Sequence, residues 1–440
     1  MNTVLIEPTD LLFFRDAIPM SAGQGRGAGC RMPFPSTLHE AFRACLLRQR
    51  NEIGLSKSVP GRPRHAPRKG NWHVESEATD VMIASKAFRS LRTIGPLPWH
   101  TEHGLLLPVP MDSMFGPQRD RLHRLQLWRD DTVPWSQVMS NPSDYHPLCL
   151  PMAVTPPDKH GQLNGWWTVS QVRRYLDGGA DNVGESFSPI STSELWEKEQ
   201  RMGVEIEPNS FAARPGQLFA GSYLRANSKT RFLVQLELGD PQAKANGEGN
   251  AISSLDWLLL GGDFRLARLW QKDTVGQPLP DYLGSLKQVP AIPSGEGPCL
   301  LKWLLVTPAI FAHGSLPGWC ADTRQDRPGG RRPVGDVCFE LPGHAQLVSW
   351  CLGKPRIVSG WDVVDGRAKP TMLAVSEGGV YYFLCENRAT AAALAKKLHW
   401  LPRSDFYGEK GCGYGLVSFD VKMHRTSPDI SLLANELFQR

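Results

Sequence analysis

The sequence predicts an α+β protein of two similar halves in tandem, and three observations carry the prediction. Each half opens on a short apolar run followed by a proline-bearing loop, "TVLIEP" at 3–8 and "CLLKWLLVTPAIF" at 299–311. Each half closes on a helix-patterned segment, a glycine-containing loop and another apolar run. Between the halves, residues 272–298 are rich in Pro, Gly and Ser, the composition of a linker. Two copies of a split β-α-β unit account for this order, the ferredoxin-like arrangement that RNA-recognition domains also use. The first copy occupies 1–280, with long loop and hairpin insertions over about 50–200, and the second occupies 297–440.

The elements follow in order. Residues 3–8 form a strand that stops at Pro8. In "PFPSTLHEAFR", Thr37 and Glu40 stand at capping-box spacing, so hydroxyl and carboxylate satisfy the first amides of a helix. Leu38, Phe42, Cys45 and Leu46 then recur on one face, with Arg43, Arg48 and Arg50 mostly off it. The proline-rich insertions carry helices near 168–177 and 193–201. "QLFAGSYLRANSKTRFLVQLEL" (217–238) alternates like a hairpin turning at Ala226-Asn227-Ser228. A short helix over 253–260 leads through Gly261 and Gly262 into a strand at 264–270. The second half has strands near 371–375 and 379–385. A helix follows, with Asn387 as N-cap, Ala391, Leu394, Ala395 and Leu398 inward, and Lys396 and Lys397 outward. A glycine-rich loop, "GEKGCGYG", and a strand, "GLVSFDV", complete the pattern.

Composition narrows the function classes. The chain has 440 residues, 41% of them hydrophobic and 21% charged, which suits a globular protein with real cores. No apolar run is long enough to span a bilayer, and the start lacks the pattern of a secretory signal, so no membrane role is expected. Nine scattered cysteines without a CxxC pair fit a reducing cytoplasm and argue against a zinc site or a disulfide framework. The net charge is only +5, yet residues 41–70 alone carry eight Lys/Arg against Glu52. Such a cluster is the electrostatic footprint of a phosphate-rich partner, and equally the composition of a solvated basic loop.

The glycine loop fails as a cofactor cradle. A Walker A loop needs a lysine followed by Ser/Thr and then a helix, whereas Lys410 precedes the densest glycines and a strand comes next. The glycines of "GQGRGAGC" (23–30) lack a leading strand and meet two prolines before any helix, so a dinucleotide fingerprint fails there too. No G-x-S-x-G, thiol-enzyme signature or H-E-x-x-H is present, so neither cofactor nor metal is expected. His39, on the first helix, has the chemistry of a general acid/base for a ribose hydroxyl, or is a solvent-facing residue of the helix's first turn. What remains is binding: glycine-freed amides approach phosphates, flanked by Lys410, Lys396 and Lys397 in one place and by Arg15, Arg26 and Arg31 in the other. Phe14, Tyr223 and Tyr414 are aromatic enough to stack on bases or to fill a core.

Taken in order, several stretches resemble a known family. "LIEPTDLLFFRDAIPMSAG" with "PFPSTLHEAFR" resembles the opening of RAMP-superfamily subunits of type III CRISPR effector complexes. The later pieces "EKEQRMGVEIE", "PGQLFAGSYLR", "LLLGGDFRLARL", "LLVTPAIF", "KPRIVSGWD", "GGVYYFL" and "GEKGCGYGLV" fit the third subunit of the Cmr (III-B) module, nearly end to end. The resemblance implies a non-enzymatic RNA-binding subunit that grips the 5′ tag of the guide RNA. Its implied neighbours are the large polymerase-like subunit and the adjacent RAMP backbone subunit. The superfamily's RNA-contacting loop maps onto Gly408, Lys410, Gly411, Gly413 and Gly415. Arg15, Ser21, Arg26, Arg31, Arg201, Arg225, Lys229 and Arg231 are the further expected RNA contacts. The inserts at 51–70 and 324–333 depart from the family in length. Two other functions stay open: a RAMP endoribonuclease that processes precursor guide RNA with His39 as acid or base, and an interaction module whose basic loops meet acidic partners.

Overall fold

The computed structural model describes residues 2–14, 25–27, 32–50, 88, 90–115, 122–129, 148–153, 163–178, 187–239, 247–262, 265–320, 335–362, 367–425, 427 and 429–438. The inserts at 51–70 and 324–333 lie outside the described residues, as do Arg15, Ser21 and Arg31. In chain order the main elements are β1 (Asn2–Pro8), α1 (Pro35–Gln49), β2 (Leu91–His100), β3 (Gly104–Pro108), β4 (Trp166–Thr168) and α2 (Val169–Leu176). Then come β5 (Trp196–Ile206), β6 (Ala213–Ala226), β7 (Thr230–Leu238), α3 (Glu248–Ser253), β8 (Trp257–Leu260) and β9 (Arg265–Trp270). The second half contributes β10 (Cys299–Leu305), β11 (Ala345–Cys351), β12 (Val380–Cys385), α4 (Arg388–Leu398), β13 (Gly415–Ser418) and α5 (Ile430–Phe438).

Two antiparallel sheets dominate. The first runs β8-β9-β1-β7-β2-β3-β4, and the second β11-β12-β10-β13. Strand periodicity sorts each strand's residues between two cores. Val4, Ile6, Phe232 and Val234 face α1, packing on Leu38, Phe42 and Leu46. Their neighbours Leu5, Leu97 and Leu233 face the other way and share one core with Leu300, Leu304, Tyr382 and Leu384 of the second sheet. On its far side the second sheet packs Leu301, Trp303, Tyr381 and Phe383 against Ala391, Leu394 and Leu398 of α4. The molecule is therefore layered helix, sheet, sheet, helix. That arrangement explains why "CLLKWLL" is continuously apolar apart from one lysine: every residue of β10 is buried.

Several expected elements differ. Helix α1 starts two residues before Thr37, at Pro35, with Phe34 as N-cap and no side-chain cap. A proline at the first turn needs no amide partner, which makes the Thr37–Glu40 capping box unnecessary and leaves Glu40 for another role. The predicted helix near 193–201 is one turn, Thr192–Leu195, followed by strand β5. Trp196, Met202, Val204 and Ile206 alternate there with charged and polar residues, a period of two that the helical reading overlooked. The expected 217–238 hairpin does not form: β6 pairs with β5 and with the short strand Gly25–Gly27, whereas β7 pairs with β1 and β2. Asn227–Lys229 carries the chain from one sheet to the other, fixed by the Asn227 amide donating to the Leu195 carbonyl. The 253–260 segment is strand β8, with the helix displaced upstream to Glu248–Ser253. Helices α2 and α4 match expectation, and Asn387 caps α4 by accepting from the Thr390 amide at 2.9 Å.

Candidate nucleic-acid interface

The glycine loop lies between the two sheets, and protein atoms explain its glycines. The Tyr407 carbonyl accepts from the amides of Lys410 and Cys412, which closes a tight turn. The Thr93 amide on β2 donates to the Glu409 carbonyl at 3.1 Å, stitching the loop to the first sheet, while the Gly413 amide donates to Pro308 of the second half. Gly411 and Gly413 adopt φ of +101° and +79°. A Cβ on Gly411 would lie 2.8 Å from the Gly95 carbonyl oxygen, and one on Gly413 would lie 2.2 Å from the Ser404 nitrogen. At Gly415 the obstacle is the Trp303 indole, again at 2.2 Å. Gly408 alone in the loop has ordinary room, with nothing closer than 3.4 Å.

Lys410 is similarly engaged. Its ammonium forms an ion pair with Glu40 on α1, the carboxylate that the capping box did not require. The predicted contact of this lysine with RNA phosphate must therefore compete with a half-buried internal partner.

The other expected contacts divide. Arg26 lies on Gly25–Gly27, a strand parallel to β6. Arg201 and Arg225 project from the β5–β6 hairpin and share Glu199, at 2.9 and 2.5 Å, with both guanidinium groups about half exposed. Hydrogen bonds from Arg201 and Arg225 hold the Glu199 carboxyl below its usual range. Lys229 pairs with Glu102 at 2.5 Å, also in solvent. Arg231 sits over two indole rings, 5.8 Å from Trp99 and 5.7 Å from Trp270, with Glu7 at 3.3 Å. His39 is fully buried, its Nδ1 3.5 Å from the Thr93 hydroxyl, which overturns the solvent-facing expectation. Phe14 and Tyr414 belong to cores.

Arg231 belongs to a feature that single residues did not reveal. Register pairs Trp257 with Arg268, Arg268 with Glu7, and Arg231 with Trp99, while Arg231 and Glu7 form an ion pair. Residues opposite one another project on the same side of a sheet. Trp257, Arg268, Glu7, Arg231 and Trp99 thus form one row across five strands, spanning roughly 19 Å at ordinary strand spacing. Arg268 also lies 4.0 Å from the Trp270 ring centroid. Trp257 is 46% exposed and Arg268 is exposed. At the open end of the row the Trp257 indole can take a base and the Arg268 guanidinium a phosphate, whereas Trp99 at the other end packs against the core between the sheets. Sequence inspection missed the tryptophans because the five residues are drawn from four regions of the chain. Only the antiparallel register aligns them.

A buried polar cluster joins the two halves and has no such access. Asp112 accepts from Tyr175 at 2.5 Å and from Tyr382 at 2.8 Å, with Lys302 Nζ at 4.0 Å and also 3.8 Å from the Tyr175 ring. Burial first, and then the Asp112 charge, push both tyrosine hydroxyls well above their usual pKa. With Asp112 and Lys302 no more than 2% exposed, this network is a structural joint.

Antiparallel sheets with few helices, and a glycine-rich turn between the last sheet strand and the helix before it, define an α+β protein built mostly of antiparallel strands. A family model described as CRISPR-associated protein (Cas_Cmr3) matches residues 4–419, and the chain belongs to that family. Among solved structures, it is similar to a chain of the Type III-B Cmr-beta complex bound to cognate target RNA (14% identity, 94% of this chain and 95% of that chain, TM-score 0.40). A chain of the same complex with target RNA and AMPPnP matches at 14% identity, 86% of each chain and a TM-score of 0.39. A chain of the Csm3-Csm4 subcomplex of a type III-A interference complex matches at 11% identity, covering 87% and 92%, with a TM-score of 0.34. No curated protein matches. Among the described residues, no helix is long and apolar enough to cross a membrane.

Proposed function

We propose that this chain is the non-catalytic RNA-binding subunit of a type III-B CRISPR effector complex. It holds the 5′ tag of the guide RNA and docks to the large polymerase-like subunit and an adjacent RAMP subunit. The observation that carries the RNA reading is the open end of the tryptophan and arginine row on the first sheet, where exposed Trp257 and Arg268 offer stacking surface and positive charge side by side. Family membership supports the setting. The strand order β9-β1-β7-β2 in one sheet and β13-β10-β12-β11 in the other follows fourth-first-third-second in each half, as two ferredoxin-like units require. The second unit departs from that pattern between β10 and β11, where the described residues form bridges and a 3-10 turn at Gly318–Cys320.

Exposed apolar residues support the docking part of the reading as well. The β5–β6 hairpin exposes Met202, Ile206, Phe211 and Leu218, more apolar surface than a lone hairpin leaves in water without a use. Against an endoribonuclease stands His39, whose ring is buried in the described structure instead of facing solvent. Fluorescence anisotropy with a labelled, tag-bearing single-stranded RNA tests the reading. Trp257→Ala and Arg268→Ala should each weaken binding while leaving the fold intact. Unchanged affinity in both variants, or metal-independent cleavage lost in His39→Ala, would sink it.

A further inference from the structure

We propose that the turn joining β2 to β3 binds a divalent transition-metal ion, of the zinc or nickel class, through His100, Glu102 and His103. The ligand atoms of these three side chains lie within 4.8 Å of one another. The two imidazoles stack with centroids 4.8 Å apart and planes 23° from parallel. Nothing in the sequence reading singled out this "HTEH", because the spacing is not that of a helical or finger-type site; the hairpin turn brings it together.

The donor chemistry selects the ion. Two imidazole nitrogens and one carboxylate suit zinc, nickel, cobalt or copper, whereas magnesium and calcium favour all-oxygen sets. His100 is buried and fixed, and its Nδ1 accepts from the Glu102 backbone amide at 3.2 Å. That hydrogen bond uses the Nδ1 lone pair and holds the ring against the turn, so coordination through Nδ1 exchanges the Glu102 amide for the cation. Glu102 and His103 are exposed, which leaves the remaining coordination positions to water, an open three-ligand site. The Lys229 ammonium now on Glu102 is a minor competitor, since an ion pair in solvent contributes little. An ion bound here would pin the turn immediately after Trp99, at one end of the aromatic row, although the site itself does not depend on RNA.

The test is zinc titration into metal-stripped full-length protein, followed by calorimetry and by thermal unfolding. One equivalent should bind and raise the melting temperature, with magnesium at the same concentration giving neither effect. Cobalt substitution should give d–d absorption without the thiolate charge-transfer band that a cysteine site would produce. Losing an outer-shell partner of a metal costs roughly 10–100-fold, so losing the ligand in His103→Ala should weaken binding by at least about tenfold. Glu102→Gln should weaken it in the same direction, and both positions are exposed enough to keep the fold. Absence of binding would overturn the proposal. So would binding of unchanged affinity in His103→Ala, or a cobalt spectrum dominated by thiolate.

Discussion

Lys410 and Glu40 form an ion pair across 370 positions of sequence, fastening the glycine loop to the first helix. Burial works against the Glu40 carboxylate, but the charge and hydrogen bond of Lys410 outweigh it and leave the pKa below 4.5. A carboxyl depressed in the folded state stabilises above its unfolded pKa, and that stability is lost as pH falls through the folded value. Lys410→Met should therefore destabilise at pH 7 by about 1.5–3 kcal/mol, the worth of a hydrogen bond to a charged group. The deficit should shrink progressively below pH 4.5, where Glu40 begins to protonate. Urea unfolding at pH 7 and pH 3.5 measures both quantities, and equal deficits at the two pH values would count against the pair.

The two ends of the same loop should respond very unequally to a single methyl group. At Gly413 the backbone is left-handed and a Cβ would fall 2.2 Å from the Ser404 nitrogen, so Gly413→Ala must move one chain segment or the other. A loss of several kcal/mol, above the roughly 1–3 kcal/mol of a strained backbone alone, is expected in thermal unfolding. Gly408→Ala meets only ordinary contacts and should change stability by less than about 0.5 kcal/mol. Gly408→Ala is consequently the variant with which to ask whether this loop also touches RNA.

Legibility in the sequence followed locality. Helix α4 was readable down to its cap because Asn387, the apolar stripe and the outward lysines all lie within one segment. Strands β10 and β12 were readable because burial on both faces leaves a nearly unbroken apolar run. The β6–β7 hairpin was misread because two alternating runs around a polar turn look alike whether they pair together or leave for different sheets. The glycine loop was correctly bounded, yet its internal partners Gly95, Ser404 and Trp303 come from distant parts of the chain. The Trp257–Arg268–Glu7–Arg231–Trp99 row was invisible for the same reason. Lys410 looked like a free cation because nothing local shows that Glu40 is spare.

Asp405 predicts a pH dependence of the opposite sign. Its Oδ2 accepts from the amides of Ala312 and Gly318, but burial outweighs both bonds and raises the carboxyl to about 7. Its Oδ1 has no partner among the described residues. A carboxyl raised in the folded state holds its proton more tightly there than when unfolded. Its contribution therefore falls as pH rises from 3.8 to about 7 and is level above that. Asp405→Asn keeps an acceptor for the two amides and removes the titration. It should match wild type near pH 4 and exceed it at pH 8 by about 1–3 kcal/mol, the cost of a buried unsatisfied polar group.

Asp112 carries the joint between the halves, and its loss should be severe. Removing the carboxylate takes the anion from beside Lys302 and leaves the two buried hydroxyls without their acceptor. Breaking a buried charged pair from one side costs about 3–5 kcal/mol, so Asp112→Ala should fall in that range. The triple replacement Asp112→Leu, Lys302→Met and Tyr382→Phe removes the charges and one hydroxyl together and should recover much of the loss. A single variant as stable as wild type would show that the network contributes nothing.

The row on the first sheet makes a quantitative prediction that separates stacking from charge. Each phosphate neutralised releases counterions and adds about 0.7 to the salt slope for single strands, whereas stacking adds nothing to it. Arg268→Ala should therefore weaken tag-RNA binding and flatten the slope of log affinity against log salt by roughly 0.7. Trp257→Ala should weaken binding by about 1–3 kcal/mol, the worth of one base–aromatic stack, with the slope unchanged. Glu7→Gln removes the one negative charge in the row and should strengthen binding at low salt, most visibly where screening is weakest. If all three variants bind with the parent affinity and slope, the row is a packing feature and the RNA-binding reading that rests on it falls.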